Sequence, residues 1–199
     1  MGFSTLLDIM GSIIIGGILL LTIIRMQSNN VENSFVYSND RIVQSNLVEA
    51  AVLLETELRK IGYCADPNKL ASITNVVLLA DSNKIKFVAD FDRSGTIDTI
   101  YYFVGDTSEM NYTPNPRDKI LYRQVNKGKA YPVSYGITEF SFLYFDALND
   151  TLYFPIPNPQ VVKSMQVSFK IEDGSAYNEN YSSAYWRLLR MTARNLMNR

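Results

Sequence analysis

Residues 3–24 read Phe3-Ser4-Thr5-Leu6-Leu7-Asp8-Ile9-Met10-Gly11-Ser12-Ile13-Ile14-Ile15-Gly16-Gly17-Ile18-Leu19-Leu20-Leu21-Thr22-Ile23-Ile24, an apolar run broken only by Asp8 and small hydroxyl residues. As a helix the run extends about 33 Å, enough to cross the hydrocarbon core of a bilayer. A secretory signal would carry basic residues first and a small-residue cleavage site afterwards. No Lys or Arg precedes this run, and Arg25-Met26-Gln27-Ser28-Asn29-Asn30 follows it, so a retained helix is expected. A buried helix of a soluble protein seldom stays apolar on every face for so long.

Outward from the run, the helix is expected to continue. Val43, Leu47, Ala50, Ala51, Leu54, Leu58 and Ile61 recur at three- and four-residue steps, the period of an apolar helical face. Asp40, Arg41, Gln44, Glu49, Glu55, Glu57, Arg59 and Lys60 are assigned to the opposite, wet face, and Gly62 to the stop. No Pro interrupts residues 1–61, and a continuous helix would approach about 90 Å. Asp8 has two readings. It reaches headgroups or water near the chain start, or it meets a positive group on a neighbouring subunit, since a central carboxylate costs about 2.5–3.5 kcal/mol in lipid. Gly11, Gly16 and Gly17 either admit close helix packing or let the helix loosen locally.

Beyond Cys64 the period shortens. The segments 73–79, 84–89, 96–104, 119–125, 137–145, 151–154 and 161–172 are rich in Ile, Val, Tyr and Phe between turn residues, so they predict antiparallel strands with short connections. Residues 109–116 and 155–159 read as surface loops. Residues 185–196 fit both a helix and a strand, because Trp186, Leu189, Ala193 and Leu196 satisfy one period and Tyr185, Leu189, Met191 and Ala193 the other. The expected class is α+β: a long N-terminal helix packed on an antiparallel sheet. Its segments are 1–30 (leader and transmembrane helix), 31–63 (amphipathic helix) and 64–199 (β-rich head).

Composition removes several functions. With no His, neither imidazole catalysis nor histidine metal ligation is available, and one Cys among 199 residues excludes an internal disulfide. A net charge of −1 gives no basic field for nucleic acid as the main partner. The Tyr101-Tyr102-Phe103 and Phe140–Phe145 aromatics lack interleaved basic residues and are assigned to packing on the helix. P-loop, GxSxG and GxGxxG signatures are missing, and the chain is expected not to be an enzyme.

One stretch carries metal chemistry. Asp90-Phe91-Asp92-Arg93-Ser94-Gly95-Thr96-Ile97-Asp98 places oxygen side chains at loop positions one, three, five and nine, with Gly at six. That is the first part of a calcium-loop pattern, in which alternate residues face the ion and Gly makes the turn. Tyr101 stands where a bidentate Glu would complete an EF-hand, which excludes that motif. Asp90, Asp92, Ser94, Thr96 and Asp98 are the candidate calcium ligands, at a weak affinity on the order of 10⁻⁴–10⁻³ M. The competing reading is a polar hairpin turn.

The whole layout resembles a type IV pilin-like protein. Gly2-Phe3 followed by Ser4-Thr5-Leu6-Leu7-Asp8 resembles a prepilin processing site, where a peptidase cuts after Gly and methylates the new Phe. Leu58-Arg59-Lys60-Ile61-Gly62-Tyr63, the 85–102 stretch, Leu121-Tyr122-Arg123-Gln124-Val125-Asn126 and Ala193-Arg194-Asn195-Leu196 are similar to minor pilins of the PilW type and related pseudopilins. The resemblance implies a strand for the closing segment and processing at Gly2 and Phe3. It also implies assembly with other pilin or pseudopilin subunits through Phe3, Leu7, Asp8, Ile13, Gly16 and Gly17. It places the chain in the bacterial inner membrane before assembly, then in a periplasmic or extracellular filament. The family's usual Glu would fall at Leu7. Here the carboxylate arrives one residue later, rotated by about 100°, which suits a minor or tip subunit. The alternative is a single-pass anchored binding module, calcium-dependent or not, that never polymerises.

Overall fold

The computed structural model describes residues 2–70, 75–177 and 180–192. Helix α1, Gly2–Leu58, runs for 57 residues without interruption. It passes through Gly11, Gly16 and Gly17 and through the polar 27–33 patch, so neither the glycines nor the patch breaks it. The chain divides into two compact units, Met1–Asn39 and Asp40–Arg199.

The first unit is helix alone. Its large apolar side chains from Phe3 to Ile24 are 50–80 % exposed, and α1 is long and apolar enough to cross a membrane.

The second unit is a helix-on-sheet layer. After a short helix α2, Pro67–Leu70, come β1 (Val77–Ala80), β2 (Lys84–Ala89), β3 (Asp98–Val104), β4 (Lys119–Val125), β5 (Tyr131–Phe145), β6 (Thr151–Leu152), β7 (Ser164–Tyr177) and β8 (Asn180–Met191). All pairings are antiparallel, in the order β1-β2-β3-β4-β5-β7-β8, with β6 a short flap on β5. The α+β class and the antiparallel sheet follow the expectation. Strands alternate in burial: Ile85 and Phe87 in β2, Ile100 and Tyr102 in β3, and Met165, Val167, Phe169 and Ile171 in β7 face one core. That core also contains Val43, Leu47, Ala50, Ala51, Leu54, Leu58 and Ile61, the whole stripe read from the 3.6-residue period.

Several boundaries differ from the sequence reading. The α-helix closes at Leu58, and 3₁₀-type bonds from Lys60 to Glu57, Ile61 to Leu58 and Tyr63 to Lys60 carry the chain to Gly62, whose φ is 72°. β5 begins six residues before Ile137 and passes through Gly136. There φ is 73°, and a Cβ would stand 2.6 Å from the Glu172 carbonyl oxygen, so no other residue fits this bend. β7 continues through Asp173-Gly174-Ser175, past the expected strand end at residue 172, by an irregular register with β8. The 185–196 ambiguity resolves to strand as far as Met191, because β8 pairs with β7 from Met165↔Met191 to Tyr177↔Asn180. Residues 73–74, the Leu189 side chain and Ala193-Arg194-Asn195-Leu196 lie outside the described residues.

Candidate functional site

The assembly candidates Phe3, Leu7, Asp8, Ile13, Gly16 and Gly17 all lie on the exposed surface of α1. A Cβ at Gly16 or Gly17 meets nothing within 4 Å, so these glycines offer an open helix face. Gly2 is the first helical residue, while Met1 lies outside the described residues. Within the second unit, Ile42, Val48 and Val52 are more than half exposed on α1, Val48 and Val52 about one turn apart, and the sequence reading did not single them out.

The metal candidates sit between β2 and β3. Asp90, Asp92 and Asp98 bring carboxylate oxygens within 4.8 Å of one another. Asp90 is completely buried. Its Oδ2 accepts from the Ala65 and Gly95 amides, both at 3.0 Å, while its Oδ1 is buried without a hydrogen-bond partner among the described residues. The Asp92 Oδ1 accepts from the Ser94 amide at 3.0 Å. Hydrogen bonds from Ser94 hold the Asp92 carboxyl below its ordinary range. Arg93 (φ 61°) and Gly95 (φ 75°) adopt left-handed backbone, which turns the loop back on Asp90. The Ser94 and Thr96 hydroxyls bond to each other, so the structure does not aim them independently at the carboxylates.

Asn126 completes the surroundings, and nothing in the loop's sequence announced it. Its amide donates to the Asp98 Oδ1 at 2.8 Å and its Oδ1 accepts from the Thr99 amide at 2.8 Å. On the other side, the Asp90 amide donates to the Tyr63 carbonyl and the Gly62 amide to the Val88 carbonyl. The loop is therefore fastened to the segment that follows α1.

A second polar centre corrects the sequence reading. Glu57, assigned to the wet face, is 1 % exposed. It accepts from the Tyr102 hydroxyl at 2.5 Å and from the Arg123 Nε at 2.9 Å, and the Arg123 guanidinium lies over the Phe91 ring at 4.4 Å. Burial, and then the Glu57 charge, push the Tyr102 hydroxyl well above its ordinary pKa, so it remains a donor. The aromatic assignment also holds only in part. Tyr102, Phe142 and Tyr144 are core residues, whereas Tyr101, Phe103 and Tyr122 stack on one another, only half-buried, at 4.8 and 5.2 Å.

Near β7 a third group gathers. Glu172 accepts from Asn115 at 3.0 Å, Arg117 at 2.7 Å and Lys170 at 2.8 Å. Its burial opposes ionisation, but the Lys170, Asn115 and Arg117 contacts outweigh it and lower the pKa. Asp118 is buried beside it, both oxygens unpartnered among the described residues, while the nearby Thr113 hydroxyl donates to the Met110 and Asn115 carbonyls. Burial, followed by the Glu172 and Asp173 charges, raises the Asp118 pKa above 3.8. A group with a raised folded-state pKa adds stability below its unfolded value and withdraws it as pH climbs through the folded one. Asp118→Asn is therefore expected to stabilise the chain at about pH 7 by about 1–3 kcal/mol, the desolvation cost of an unmade buried contact. The gain should shrink towards about pH 3. Urea unfolding of both proteins at several pH values checks the sign.

Neither a protein-family model nor a curated protein matches this sequence.

Proposed function

We propose that this chain is a structural subunit, minor or at the tip, of a type IV pilus or secretion pseudopilus. One observation carries the reading: the apolar side chains of residues 3–24 stand uncovered on every face of α1, and the same helix then enters a sheet-covered core. Such a surface needs either lipid or other copies of the same kind of helix around it. In the membrane it is solvated by acyl chains; in a filament the same area packs against neighbouring helices. The exposed Val48 and Val52, about one turn apart on α1 and outside the head's core, offer a neighbouring helix further apolar surface.

Intact-mass analysis of the chain from its native host tests the reading. Loss of Met1-Gly2 with a methylated Phe3, and filament defects on deletion, are expected. An unprocessed N-terminus together with normal filaments would favour the alternative, a single-pass anchored module that does not polymerise. The head's strands supply shape rather than chemistry in this proposal, which assigns no catalytic residue.

A further inference from the structure

We propose that Asp90, Asp92 and Asp98 bind one calcium ion that clamps the β2–β3 loop to the segment following α1. This site goes beyond the filament reading and stands without it.

The spacing of three acids would carry little, since polar hairpins are often acidic. What points to a ligand is the Asp90 Oδ1. It belongs to a completely buried carboxylate, has no hydrogen-bond partner among the described residues, and sits in a cluster whose three carboxylates approach within 4.8 Å. Its sister oxygen is already engaged by two amides, so the carboxylate is oriented with one lone-pair edge left over. A buried carboxyl oxygen without a donor is costly. A cation removes that cost and also the repulsion from Asp92 and Asp98.

Geometry and ligand chemistry select the ion. Two oxygens bound to one calcium at about 2.3–2.6 Å are at most about 5 Å apart, so the cluster is already within reach of a common centre. The donors are hard oxygens, which excludes the thiolate- and imidazole-loving metals. Magnesium asks for a near-ideal octahedron at about 2.0–2.1 Å and gives up water reluctantly; an irregular loop turned by Arg93 and Gly95 suits calcium's flexible coordination better. The Lys69 ammonium donates to the Gly95 carbonyl at 2.7 Å, so that carbonyl is not counted as a ligand. Exposed Asp92 leaves the rim open for water to fill the remaining positions.

Asp90 also receives the Ala65 amide and Asp98 the Asn126 amide, so the ion would join the post-helix segment, the loop and the β4 end. The test uses the full chain in detergent, freed of metal with EDTA, and follows thermal unfolding against added CaCl₂. With a Kd on the order of 10⁻⁴–10⁻³ M, about 10 mM calcium should raise the folded-to-unfolded ratio roughly 10- to 100-fold. That corresponds to a Tm increase of about 3–10 °C for a chain of this size.

Asp92→Asn, at an exposed position, should lose at least half of the calcium response, read against its own metal-free Tm. Asp98→Asn should lose it as well, which keeps the comparison informative if one variant is unstable. No calcium shift in the parent chain, an undiminished shift in both variants, or an equal shift from MgCl₂ at matched ionic strength would overturn the proposal.

Discussion

Glu57→Ala is expected to destabilise the second unit by about 3–5 kcal/mol, the usual cost of removing one partner from a buried ion pair. The magnitude follows from what remains behind. Arg123 has a side chain only 19 % exposed and keeps its positive charge when Glu57 is gone. Its Nη2 is already buried without a partner among the described residues, so none of them stands ready as a second acceptor. The Tyr102 hydroxyl, in a completely buried side chain, loses its acceptor at the same time. The Phe91 face holds the guanidinium in place but is worth only about 0.5–2 kcal/mol, too little to replace a carboxylate. Replacing both partners together, Glu57→Leu with Arg123→Leu, should recover much of the loss, because the apolar pair leaves no stranded charge. Urea unfolding of the parent, Glu57→Leu, Arg123→Leu and the double variant gives the coupling energy directly. A single-variant loss below about 1 kcal/mol would mean that water reaches the pair and that it behaves as a surface contact.

This same residue shows how far the sequence could be read. Glu57 falls on the 50–54–57–61 spacing of the buried stripe, so its angle on the helix placed it inside while its residue type argued for the outside. Periodicity was the better guide, because a partner 66 positions away supplied the compensating charge. The apolar stripe itself, Val43 to Ile61, was legible in full, since helical burial repeats locally and needs no knowledge of the sheet. Strand ends were less so. Pro132 and Gly136 lie before the expected strand start at 137, yet β5 takes in both through register shifts against β4. The 185–191 stretch satisfied two periods, and only hydrogen bonding to β7 decides between them. In the acidic loop, Asp90, Asp92 and Asp98 were visible by spacing alone. The buried Asp90 oxygen and the Asn126 contact were not, because both depend on chain folded back from elsewhere.

Placing arginine at Ile14 and Ile18 together should strip the chain from the membrane fraction while the head remains folded. Each Ile or Leu in the centre of a spanning helix favours insertion by about 0.3–0.6 kcal/mol, so the whole run contributes several kcal/mol. Each central arginine opposes it by about 2.5–3.5 kcal/mol, and two of them cancel the run. Position matters: both residues lie in the middle of residues 3–24, too far from either end for their side chains to reach headgroups easily. Both are also exposed on α1, at 59 % and 57 %, so the substitutions fill no cavity and break no core contact. The head's core starts at Val43, and its near-ultraviolet circular dichroism should therefore be unchanged. Asp8→Arg makes the contrasting case. Near the start of the run it should cost less, because a long cationic side chain there can snorkel to the interface. Carbonate extraction of membranes from cells making each variant reads the partition. If the doubly charged helix still resists extraction as the parent does, residues 3–24 are not held by lipid, and the surface left bare on α1 must be covered by protein from the outset.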